Sequence, residues 1–187
     1  MKILNLLIAI LFTSILFSCS SKDDDNSNRG SGFSVEEKYY STPNGYILSE
    51  FEGADNKLHA IYLSNGTVVN NEWHGNNYCD FSNNLTQDVI FYIHPALQIE
   101  STDGTYTYEL NTGEPYILAV FFGINIKVLG NCRVSGASIS TPQFKNGSLT
   151  VKVSGNIYTI TYTFQLLNDE IIEGNYTGEL QLVQDFS

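Results

Sequence analysis

The residues best equipped for chemistry in this chain are three cysteines, three histidines, a single tryptophan and a few closely spaced acids. The densest polar patch is Asn70-Asn71-Glu72-Trp73-His74-Gly75-Asn76-Asn77-Tyr78. Sugar sites pair an aromatic platform, on which C–H faces pack, with planar polar groups that bind hydroxyls. Trp73, His74, Asn76, Asn77 and Tyr78 supply both, in a segment that reads as a loop, and loops on a rigid scaffold are where binding residues concentrate. The plainer alternative is that Trp73 plugs the end of the domain.

Catalytic and metal chemistry find less support. There is no Gly-x-Ser-x-Gly elbow and no glycine-rich phosphate loop. Glycoside cleavage needs two carboxylates facing each other across a cleft. Glu50 and Glu52 share one side of a strand pattern, and Glu170 and Glu173 border a turn, so no enzyme is expected. His74, Cys79 and Asp80 are close in sequence, with His59 and His94 further away. Zinc sites favour tight ligand pairs, and neither Cys-x-x-Cys nor His-x-x-x-His occurs, so neither a metal nor another cofactor is expected. Cys79 and Cys132 remain as a disulfide candidate in an oxidising compartment, with two buried free thiols as the alternative.

The compartment is set by the first residues. Lys2 is followed by an apolar run from Ile3 to Phe17, broken by Asn5, Thr13 and Ser14. A charged start and an apolar core of about 15 residues describe a secretory signal rather than a membrane span, which needs about 20. Leu16-Phe17-Ser18-Cys19 resembles the lipobox of bacterial lipoproteins, which implies a signal peptide over 1–18 and lipidation of Cys19. The following Ser20-Ser21-Lys22-Asp23-Asp24-Asp25 is similar to the surface-export signal of Bacteroidota lipoproteins. That resemblance implies an outer-membrane lipid anchor facing the cell exterior. Residues 19–32 lack apolar side chains after the cysteine and read as a tether.

Loss of the signal removes Lys2 and takes the net charge from −11 to about −12. Binding to nucleic acid depends on lysine and arginine neutralising phosphates. The chain has two arginines, Arg29 and Arg133, and this charge balance excludes nucleic acid as a partner. Residues 33–187 have the length of one ordinary domain, and twelve tyrosines against one methionine suit strands.

Alternating patterns punctuated by turn signals recur from Phe33 onward. Leu149, Val151 and Val153 alternate with polar residues, as do Tyr158, Ile160, Tyr162, Phe164 and Leu166. Asn146-Gly147, Gly155-Asn156 and Asn168-Asp169 read as turns, and Gly174 to Gly178 as a bend or bulge before Leu180 and Leu182 close an antiparallel meander. Tyr46–Phe51 and Leu58–Leu63 read as a hairpin. Tyr116–Phe122 is a continuous apolar run, expected to be buried on both faces. Asn70 to Gln87 reads as a long loop with room for a short helix. The expected fold is all-β, an antiparallel β-sandwich or jelly-roll-like barrel of about ten strands.

Val134-Ser135-Gly136, Gly147-Ser148-Leu149-Thr150-Val151, Tyr158-Thr159-Ile160-Thr161-Tyr162 and Gly174-Asn175-Tyr176-Thr177-Gly178 resemble a C-terminal pattern of uncharacterised Bacteroidota surface lipoproteins with a β-sandwich domain. The resemblance carries strand and turn residues only, and no functional residue. The functional expectation is a surface accessory or binding lipoprotein, with a glycan or a surface protein as partner and the membrane engaged through Cys19. The alternatives are a structural or adhesive surface component and, third, a hydrolase.

Overall fold

The computed structural model describes residues 30–51, 58–69, 72–73, 80–94, 103–108 and 116–185. The signal segment, Cys19, Cys79, His74, Asn76, Asn77 and Tyr78 lie outside the described residues. Thirteen strands form among those described: β1 Gly32–Val35, β2 Lys38–Ser41, β3 Asn44–Phe51, β4 Leu58–Ser64, β5 Glu72–Trp73, β6 Gln87–His94, β7 Gly104–Thr107, β8 Tyr116–Leu129, β9 Cys132–Ser140, β10 Phe144–Ser154, β11 Ile157–Leu166, β12 Ile171–Gly178 and β13 Gln181–Asp185. One 3₁₀ turn, Thr141–Gln143, links β9 to β10. The all-β, sandwich-like or barrel-like fold read from the alternation is the observed one.

The strands run in the order β2-β1-β12-β11-β10-β7-β8-β6-β4-β3-β13-β5, with β9 paired to β8 off this path. The sheet curls where β7 meets β8 through a single parallel residue pair, Thr107 and Tyr116. Its two halves thereby face each other. Leu149, Val151, Ile160, Tyr162, Phe164 and Ile172 come from one half, and Ile61, Leu63, Val89, Phe91, Val120 and Phe122 from the other; all are buried in one core. Rings interlock across it, with centroids 4.9 Å apart for Phe91 and Tyr162 and 5.1 Å for Phe33 and Phe122. Such pairs add about 0.5–1.5 kcal/mol each beyond area burial.

A second core lies behind the β8-β6-β4-β3 half. Tyr46, Ala60 and Tyr62 are covered there by Val68, Phe81, Leu85 and Ile126. The segment Asn70 to Gln87, expected to be a long loop, supplies part of this cover: Phe81 bridges Val68, which precedes the segment, and Phe81 and Leu85 are buried. The strand buried on both faces is therefore β4, with Ile61 and Leu63 on one side and Ala60 and Tyr62 on the other. The run Tyr116–Phe122 is not. It belongs to a fourteen-residue strand in which Leu118 is 50% and Phe121 39% exposed, because the second core does not extend over that part of β8.

Three further expectations are corrected. Asn146-Gly147 is no turn but lies inside β10, where Gly147 pairs with Phe164. A Cβ at Gly147 would strike the Phe164 ring, so the glycine is there to seat an aromatic. The Asn146 amide meanwhile donates to the Gln165 side chain at 3.0 Å. Next, Gly174 to Gly178 continues β12 without a break in register against β11. Gly174 instead makes room for Tyr162, whose hydroxyl would lie 2.5 Å from an added Cβ. Finally, the antiparallel meander ends at β12. β13 leaves it to pair in parallel with β3, Leu182 opposite Ile47, and with β5. The other expected turns hold, and Gly155 and Asp169 adopt the positive φ they require.

Candidate ligand-binding face and buried acid

Alternation fixes which side chains point outward from β7, β10, β11, β12, β1 and β2. The apolar member of each pair enters the core, and the β-branched threonines that suit a strand turn their hydroxyls to the other side. Pairing then aligns them into two rungs. One rung contains Thr105, Thr150, Thr161, Asn175, Gly32 and Ser41; the next contains Thr107, Ser148, Thr163, Glu173, Ser34 and Tyr39. Neighbouring side chains in a rung are about 4.8 Å apart, and the rungs are separated by about 6.7 Å.

Part of this face is hollowed into a groove of about 340 Å³, lined by side chains including Ser148, Thr150, Thr161, Thr163, Asn175 and Tyr39. Two glycines shape its end. Tyr39 lies across Gly32 on the outside, its hydroxyl 2.5 Å from where a Cβ would stand, and it donates to the Gly30 carbonyl. Tyr162 lies across Gly174 on the inside and donates to the Gly32 carbonyl at 3.4 Å. Burial, and secondarily Tyr39, push the Tyr162 hydroxyl far above the usual tyrosine range, so it stays protonated as a donor. Among the described residues, the groove offers rotatable hydroxyls, which donate and accept, an amide, an aromatic and one carboxylate, Glu173. Cleavage of a glycosidic bond by the common two-carboxylate route needs a second acid. Glu170, the partner considered from sequence, sits in the turn before β12 and receives the Asn168 amide at 2.9 Å.

A polar cluster adjoins the second core through Tyr62. Asp88 on β6 is 5% exposed and accepts from the Tyr62 hydroxyl at 3.2 Å. Arg133 of β9 reaches it at 3.4 Å. Gly123 of β8 lies opposite Asp88 in register, and a side chain there would collide with both Asp88 and Arg133. Burial raises the Asp88 carboxyl from 3.8 to about 6, although Arg133, Tyr62 and the Gly123 N–H each pull it down. The hydroxyl of Tyr62 is raised well above its usual range, first by burial and then by Asp88. The cluster ties β9 to β6 across β8, with Asp88 and Tyr62 buried and Arg133 partly exposed, and has the character of a clasp.

Of the residues singled out by sequence, Trp73 has its backbone in β5, paired with Asp185, at the opposite end of the strand order from the groove. His59 and His94 lie on β4 and β6. No group of three metal-binding side chains occurs among the described residues. Cys132 is disulfide-bonded, with its partner outside the described residues. The groove itself was visible in sequence only as alternating threonines; Asp88 was hidden among the apolar residues of β6. Against family models, curated proteins and solved structures, the chain gives no match.

Proposed function

We propose that this chain is a non-catalytic, glycan-binding lipoprotein, anchored through Cys19 to a bacterial outer membrane and facing outward. The observation that carries the binding function is the groove on the threonine face. An array of hydroxyls and one amide complements a polyol, and among the described residues its lining holds the acid Glu173 and no lysine or arginine, which argues against a phosphate or sulfate ligand. The anchor rests on the lipobox resemblance at Leu16 to Cys19. The test is a glycan array probed with the full chain, wild type beside Thr161→Arg. Thr161 is exposed, so the arginine obstructs the groove without entering the core. Retention of a neutral glycan by the wild type and its loss in the variant are expected; equal signals from the two would refute the assignment to this face.

A structural or adhesive role is the second reading, favoured by one feature. Among the described residues β9 pairs with β8 alone, and Val134 and the nearby Leu129 are 57% and 74% exposed. An edge of this kind can accept a partner strand. Concentration-dependent self-association abolished by proline at Ala137 would support that role over sugar binding.

A further inference from the structure

Building on the glycan reading, we infer that the ligand is a linear, neutral glycan lying extended across the strands, with Tyr39 at one end of its track. The groove draws its lining from five strands that are consecutive in the sheet, β10, β11, β12, β1 and β2. At about 4.8 Å between strands, its length is roughly 19 Å. Small-molecule pockets of similar total volume enclose most of their ligand. This one is drawn out into a shallow trough across five strands, which suits a single extended chain.

The flanks reinforce the direction. Along the strands, the two hydroxyl rungs give way on one side to Asn146 and Gln165. These are bonded to each other at 3.0 Å, and Gln165 also donates to Asp169 at 2.9 Å. Beside them Ile171 is 46% exposed and offers no hydrogen bond. On the other side the next rung contains the charged Lys152, opposite Thr159. Within the trough, by contrast, Ser148, Thr161, Thr163 and Asn175 have no intramolecular side-chain hydrogen bond among the described residues. Their polar atoms are open to a ligand running from β10 to β2. Glu173 and the net charge of −11 disfavour uronic acids and sulfated sugars. An extended peptide, the other chain-like ligand, binds sheets chiefly by adding to an edge strand, and this trough is on a face.

The experiment is a calorimetric length series with the full chain, using unbranched neutral gluco- and manno-oligosaccharides from monosaccharide to octasaccharide. Affinity should rise by about tenfold or more, equivalent to about 1.4 kcal/mol, and level off once the oligomer fills the trough. Two obstructing variants set the direction. Thr161→Arg, in the middle, should abolish binding at every length. Ser148→Arg, at the β10 end, should spare short oligomers and remove the gain from lengthening. Thr161→Val removes only the hydroxyl and should weaken binding without loss of melting temperature, which separates recognition from misfolding. A monosaccharide bound as tightly as an octasaccharide would overturn the extended-ligand inference and leave the glycan reading standing. Failure of every neutral oligomer to bind would overturn both. Binding by Thr161→Arg equal to wild type would place the ligand elsewhere.

Discussion

Replacing Asp88 by asparagine removes one titrating group from a nearly isosteric side chain, and the buried clasp makes its effect on stability calculable. The carboxyl is raised from 3.8 to about 6 by burial. The folded chain therefore holds this proton more tightly than the unfolded chain does. The stability contributed by protonation is complete below about pH 4 and is lost as pH rises through about 6. The gap between 3.8 and about 6 is equivalent to about 3 kcal/mol at 1.36 kcal/mol per pH unit. For a chain of this size, about 2–4 °C per kcal/mol converts that to roughly 6–12 °C. Thermal melts of wild type and Asp88→Asn from pH 4 to pH 8 isolate the effect, because the surface acids titrate alike in both. The wild type should gain on the variant by that amount as pH falls. Arg133→Gln should extend the wild-type trend to higher pH, since Arg133 holds the Asp88 carboxyl down. Melting curves for wild type and Asp88→Asn that stay parallel across the range would refute a carboxyl that burial makes hold its proton more tightly.

Three other outcomes are expected. Gly147→Val should cost about 1–3 kcal/mol through overpacking against Phe164, measured by denaturant titration; a neutral result would mean that the Phe164 ring does not occupy the space above the glycine. Cys79→Ser should expose one thiol, at Cys132, to labelling in the denatured, unreduced chain, because Phe81 N–H donates to the Asn131 carbonyl at 3.1 Å and brings the two cysteine-bearing segments together. Closing a loop of about 53 residues is worth up to roughly 4 kcal/mol, and an unlabelled Cys132 in this variant would assign the disulfide to Cys19. If Cys19 is instead lipidated, Cys19→Ala should release the chain from the membrane fraction, and unchanged association would sink the anchor.

Local pattern sufficed wherever one face of a strand is buried. The positions Leu149, Val151, Ile160, Tyr162 and Phe164 were legible because period-two alternation reports burial directly. Asn146-Gly147 misled because its turn propensity is a weak local bias, overridden by a ring supplied from the next strand. Tyr116–Phe122 misled because apolar content does not say which elements arrive to cover it. The threonines of the groove could be read as a solvent face, but their alignment into rungs depends on pairing among strands distant in sequence. Asp88 needed Tyr62, Gly123 and Arg133, none of them local to it, before its environment had any meaning. The tryptophan loop remains where the sequence left it, since the side chain of Trp73 and its neighbours His74 to Tyr78 fall outside the described residues.

The pairing of early strands with late ones has a consequence for how the chain acquires its structure. Gly32 pairs with Asn175, and Leu48 with Val183, so β1 and β3 both wait for partners more than a hundred positions further on. Closing such long loops costs entropy before any contact rewards it, and a topology dominated by non-local pairing folds slowly. The hairpins β3–β4 and β10–β11–β12 can form as each emerges, but the curled sheet closes only when the last strands arrive. Until then β1, β3 and their edges remain open to wrong partners. A chain emerging in order would thus stay short of its native state until β12 and β13 had both followed.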